Sequence, residues 1–143
     1  MKKGTETMEA TQTKRVFLGG AYNNSTWRAK LIPLLTISYF NPIVENWTPE
    51  CMDEEIRQRK TCDFVLYVIT PEMTGVYSIA EVVDDSNKRP EKTIFCFTNQ
   101  NKDAGEFTKP QIKSMKAVAK MVEENGATIC ENLQDVANFL NGQ

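Results

Sequence analysis

The run Phe64-Val-Leu-Tyr-Val-Ile69 constrains this chain more than any other segment. It is rich in β-branched and aromatic residues and apolar without a break. A strand with one face in water alternates apolar and polar side chains. An unbroken run predicts a strand covered on both faces, as at the centre of a parallel sheet. Parallel neighbours are joined by long crossovers, usually helices, so the flanking sequence should alternate between the two.

It does. Met1 to Lys14 is polar, without apolar period, and is expected to be a disordered tail ahead of one domain over 15–143. Arg15 to Gly20 reads as a first strand ended by paired glycines. Ser25 or Thr26 can cap a helix carrying Trp27, Leu31, Leu34 and Leu35, which Pro33 should kink or delay. Tyr39 to Val44 reads as a second strand, at an edge because Pro42 cannot donate to a neighbour. Thr48-Pro49-Glu50 has the form of a cap, a first-turn proline and an acidic residue opening a helix to about Thr61. The central run follows, then a loop over Thr70 to Gly75, a helix over about Ser78 to Ser86, and a fourth strand over Thr93 to Phe97. After a polar loop from Thr98 to Thr108, Pro110 opens a helix with Ile112, Met115, Ala119 and Val122 on one face and Gly126 as its stop. Ala127 to Cys130 is a fifth strand, and Leu133, Val136, Ala137 and Leu140 line a closing helix. The expected fold is α/β: a flavodoxin-like, doubly wound, five-stranded parallel sheet in the order 2-1-3-4-5 with right-handed crossovers.

Composition excludes several functions. The chain has no histidine, so Ser-His-Asp and Cys-His catalysis are out and acid–base chemistry falls to carboxylates. Its four cysteines, Cys51, Cys62, Cys96 and Cys130, are widely spaced without a CxxC pair, so no zinc or other metal site is expected. With reduced thiols, no export signal and no membrane span, the expected location is the cytoplasm. A net charge of −2 without a basic stripe argues against a nucleic-acid partner. The basic residues Arg57, Arg59 and Lys60, interleaved with Asp53, Glu54 and Glu55, read as a solvated helix face.

In this fold ligands bind beyond the carboxyl ends of the strands where the order reverses, between strands one and three. That selects the loops Gly19 to Thr26 and Thr70 to Glu81. Glu81 should sit near the start of its helix, where the dipole would help keep it ionised. Glu55 on the preceding helix offers a second carboxylate, and two carboxylates facing one cleft can cleave a glycosidic bond. A plain reading stands beside this one: Glu81 solvated, and Glu55 paired with Arg59 at i,i+4. In the first loop, Gly19 and Gly20 allow close backbone approach, and Asn23, Ser25 and Arg28 are candidates for holding a sugar or 5′-phosphate. The loop is no GxGxxG and lacks a P-loop lysine, so an Asn- and Gly-rich turn remains open as well.

Together these segments resemble the nucleoside 2-deoxyribosyltransferase-like family. The resemblance is carried by Val16-Phe-Leu-Gly-Gly20, Trp27-Arg28, Phe40-Asn-Pro-Ile-Val44, Cys62-Asp-Phe-Val-Leu-Tyr-Val-Ile-Thr-Pro71 and Gly75-x-x-Ser-x-x-Glu81, over roughly Arg15 to Phe97. It implies cleavage or transfer at the N-glycosidic bond of a (deoxy)nucleoside or nucleotide, with Glu81 attacking C1′ and Glu55 at the place of the family's upstream acid. It also implies Gly75 and Ser78 at the substrate, no cofactor, and a homo-oligomer. Three departures are visible. The transferases usually carry aspartate where Glu55 stands, a family aspartate falls on Gly75, and the C-terminal segment that reaches a neighbouring subunit's site is not recognisable. The alternatives are an N-glycosidase hydrolysing a nucleoside monophosphate or NAD, and a non-catalytic nucleotide-binding module.

Overall fold

The computed structural model describes residues 13–21, 25–99 and 105–143. Most of the expected tail, Asn23, and the middle of the loop between Thr98 and Thr108 lie outside them. Among the described residues, five parallel strands alternate with five α-helices: β1 (Arg15–Gly20), α1 (Trp27–Leu31), β2 (Ser38–Phe40), α2 (Pro49–Thr61), β3 (Phe64–Ile69), α3 (Tyr77–Lys88), β4 (Thr93–Phe97), α4 (Lys109–Glu124), β5 (Thr128–Ile129) and α5 (Leu133–Leu140). The strand order is 2-1-3-4-5, the flavodoxin-like arrangement.

β3 is central and pairs with β1 and β4 over nearly its whole length. Val65 to Ile69 are fully buried. Leu66 and Val68 join Val16, Leu18, Ile94 and Cys96 on the face covered by α1 and α5. Val65, Tyr67 and Ile69 join Phe17 and Phe95 on the face covered by α3 and α4. The unbroken apolar run is explained by this two-sided cover.

The largest departures from the sequence reading are at the edge. β2 is three residues long and ends before Pro42; Pro42, Ile43 and Val44 leave the sheet. A residue without an N–H cannot continue the ladder, and β2 has a neighbour on one side only. β5 is likewise shorter than Ala127–Cys130. α1 gives way at Pro33 to a 3-10 turn over Ile32–Leu34, so the kink is real. Thr26 stands at the N-cap of α1 without a side-chain cap bond. Ser25, the other expected cap, shares a hydrogen bond with the Thr70 hydroxyl at 3.0 Å. Ile112 is left partly exposed at the rim of α4.

Paired glycines end β1 because β3 lies against them. Gly20 has φ +120°, and a Cβ there would stand 2.1 Å from the Val68 carbonyl oxygen. A Cβ on Gly19 would meet the Tyr67 ring at 2.6 Å. The close approach read from these glycines is therefore first an approach of strand to strand.

Val68→Asp is expected to unfold the protein. The new carboxylate would be fully buried among Leu18, Leu66 and Cys96, at a cost of several kcal/mol, comparable to a domain's whole stability. A circular-dichroism melt retaining the wild-type transition would show that β3 is not the centre of the sheet.

Candidate active site

At the switch point between β1 and β3, where the chain leaves for opposite sides of the sheet, lies a cleft of about 410 Å³. That is within the range of small-molecule sites. β1 and its turn contribute Gly19, Gly20 and Ala21. The segment after β2 contributes Ile43, Val44 and Trp47, and α2 contributes Met52 and Glu55. The loop after β3 and the start of α3 contribute Met73, Gly75, Tyr77, Ser78 and Glu81. A wider groove of about 930 Å³ between α3 and α4 has a single ionisable lining residue, Asp84. The first cleft is the one with paired carboxylates.

Of the residues singled out in the sequence, Gly19, Gly20, Arg28, Glu55, Gly75, Ser78 and Glu81 all line this cleft. Ser25 stands beside it through its bond to Thr70, and Asn23 lies outside the described residues. Gly75 has nothing within 4 Å of the place a Cβ would take, so that position is open space.

Glu81 sits one turn into α3 and is buried. Burial pushes its carboxyl up to about 7; Arg59 opposes the rise, and the charges of Glu55, Asp85 and Asp84 add to it. The expectation that the helix dipole keeps Glu81 ionised is corrected here, because loss of hydration outweighs a dipole worth only about 1 kcal/mol. Glu55 is half-buried and also shifted upward by burial, against the Trp47 indole and the charges of Arg59 and Arg28.

Arg59 is the second correction. It is buried rather than part of a solvated face, and its guanidinium reaches from α2 to α3. It donates to Asp85 at 3.0 and 3.1 Å and to Asp84 at 2.9 Å, and stands 3.7 Å from Glu81 Oε2. Asp85 is wholly buried; it also accepts from Tyr67 Oη at 2.5 Å and pairs with Arg89. The predicted Glu55–Arg59 pairing at i,i+4 gives way to these contacts across helices. One signal was available: Glu81 and Asp85 are four apart, which puts both on one face of α3.

Arg28 reaches the cleft wall but is itself buried. Nε and Nη2 donate to Leu18 O at 3.1 and 2.9 Å, and Nη1 donates to Ala21 O at 2.8 Å. Its guanidinium lies 4.3 Å from the centre of the Trp27 ring, and Trp27 Nε1 also donates to Ala21 O. The Trp27-Arg28 pair thus ties down the end of β1 at Leu18 and Ala21. The apolar lining from Trp47, Met52 and Tyr77 was not picked out in the sequence, where these residues follow no period.

The sequence pattern described as nucleoside 2-deoxyribosyltransferase like matches residues 13–100. The chain belongs to that family. The match spans β1 to β4 and every described residue lining the cleft. No curated protein is significantly similar to the chain. The family suggests a glycosyl-transferring enzyme. No helix among the described residues is long and apolar enough to cross a membrane.

Two outcomes are expected. The Glu81 carboxyl rises from 4.5 unfolded to about 7 folded, so the native state holds the proton more tightly and stability falls as pH rises between those values. Glu81→Gln should therefore stabilise the protein at pH 8 by up to roughly 3 kcal/mol and make little difference below pH 4.5, as read by urea melts across pH. Arg28→Ala removes a charged donor from two carbonyls, and should lower the melting temperature by roughly 5 °C or more. If Arg28 served only as a phosphate anchor, the melt would be unchanged and only monophosphate affinity would suffer.

Proposed function

We propose that this protein cleaves or transfers at the N-glycosidic bond of a (deoxy)nucleoside or nucleotide, with Glu81 as nucleophile and Glu55 managing the proton of the leaving base. The observation that carries this reading is that two desolvated carboxylates, from adjacent helices, line one cleft of suitable size at the switch point. Cleavage of such a bond passes through an oxocarbenium-like state. A carboxylate under C1′ stabilises positive charge as it develops and can capture the sugar. The C1′–N bond breaks as the C1′–O bond to Glu81 forms, and a protonated Glu55 delivers its proton to the departing base. A second base, or water, then attacks C1′, releases Glu81, and leaves its own proton on Glu55, so configuration is retained. The apolar and aromatic lining, with Trp47 and Tyr77, suits a flat base.

Hydrolysis is the second reading, favoured by Gly75: where the resembling transferases carry aspartate, this chain leaves open space. A role exchange, with Glu81 as acid, is the variant favoured by its upward shift. The test is incubation with 2′-deoxynucleosides, their 5′-monophosphates and NAD, each with and without an acceptor base. Base-dependent exchange supports transfer, and release of free sugar supports hydrolysis. Glu81→Gln should lower kcat by roughly a thousandfold, on the order of 4 kcal/mol. A 2-fluorinated substrate should leave one sugar mass on wild-type Glu81. An adduct on Glu55 would exchange the roles, an active Glu81→Ala enzyme would overturn the mechanism, and a wild type inactive on every substrate would leave a binding module.

A further inference from the structure

We propose that Arg59 is a positioning residue for this chemistry: anchored on the buried Asp85–Tyr67 pair, it favours the charged form of the Glu81 carboxylate and turns it by its Oε2, leaving Oε1 toward the substrate. The inference rests on the reading of Glu81 as the nucleophile. Three features carry it. Arg59 comes from α2 and Glu81 from α3, so the contact at 3.7 Å ties together the two helices that supply the carboxylates. The guanidinium cannot swing away, because it already donates to both oxygens of Asp85 and to Asp84. Asp85 in turn is wholly buried and fixed by Tyr67 Oη and Arg89, so the anchor is rigid.

The charges around Glu81 make such a cation necessary. Glu55 faces it from α2, and Asp84 and Asp85 belong to its own helix. Tyr67 lies beneath on β3, its hydroxyl pushed well above its ordinary range by burial and by Asp85. Tyr77 and Arg28 also line the cleft, and Arg28 is directed to backbone carbonyls. Arg59 is the cation whose charge lowers the Glu81 carboxyl, while burial and three neighbouring carboxylates raise it. Its own charge is secure: burial works against it, but Asp85 and Glu81 hold its proton beyond the usual arginine range. A planar guanidinium presents two donors to Asp85 in a fixed fork while its third nitrogen faces Glu81, a geometry that the compact ammonium of a lysine does not reproduce.

The test is titration of Glu81 by NMR of protein labelled with 13C at glutamate side-chain carboxyls, the Glu81 signal being assigned by its loss in Glu81→Gln. Arg59→Met should raise the midpoint by at least one pH unit and Arg59→Lys by less. The acid limb of the kcat/KM profile should move by the same amount. Because Arg59→Met leaves Asp85 short of a partner, the comparison is repeated as Asp85→Asn against Arg59→Met/Asp85→Asn, where the same rise is expected. A midpoint unmoved in both backgrounds, with only the melting temperature lowered, would overturn the proposal and make Arg59 a structural tie. The titration requires no turnover. A shifted midpoint in a protein inactive on every substrate counts against the proposed activity, and normal turnover with an unmoved midpoint counts against Arg59.

Discussion

Five consecutive side chains of β3, Val65 to Ile69, are shut off from water on both faces of the sheet. Covering each contributes about 1.5–3 kcal/mol, so together they match the whole net stability of an ordinary domain. The other elements follow from that requirement. α1 and α5 cover one face, while α3 and α4 pack over the other. With right-handed crossovers, the chain must leave β1 toward one side and β3 toward the other, and the loops part above the carboxyl ends of those two strands. The cleft is a consequence of covering β3.

A second constraint works against stability. The buried Glu81 and Asp85 and the partly exposed Glu55 and Asp84 gather around Arg59 and Arg89. The carboxylates outnumber the cations, and Glu81 answers by holding its proton up to about pH 7. A chain selected for stability alone would place an apolar residue at 81. A carboxylate kept in such a position, facing a cleft, is the pattern expected where a group is shifted for chemistry. Tyr67 joins the two constraints: its ring belongs to the core under α3, and its hydroxyl secures Asp85.

The fold was legible because its signals are local or periodic. The bounds of β3 and β4 can be read directly, since an apolar run begins and ends with polar residues. α2 announces itself through Thr48 and Pro49, and α4 through Pro110. The short edge strands were overread, because Ile43 and Val44 look like strand residues although the sheet has released them to the cleft. Glu81 could be nominated because fold-level geometry selects the loop that leads to it, and Glu55 because the preceding helix offers a second carboxylate where the resembling family carries an acid. Arg59 was misread for one reason. An arginine in a sequence looks solvated, and what it touches depends on a packing partner far along the chain.

The sequence by itself therefore determined the order of elements, the central place of β3 and the end of the sheet at which the cleft opens. Each of these depends on hydrophobic periodicity, capping residues and the handedness of crossovers, all written within short windows of the chain. Tertiary structure alone decided the state of the charges. Whether Glu81 is ionised, where Arg59 points and what Arg28 holds depend on the hydration lost when α2, α3 and β3 pack together. Coulomb energies and desolvation costs change severalfold between water and a packed interior. No local pattern records that environment, because it exists only once distant segments have met.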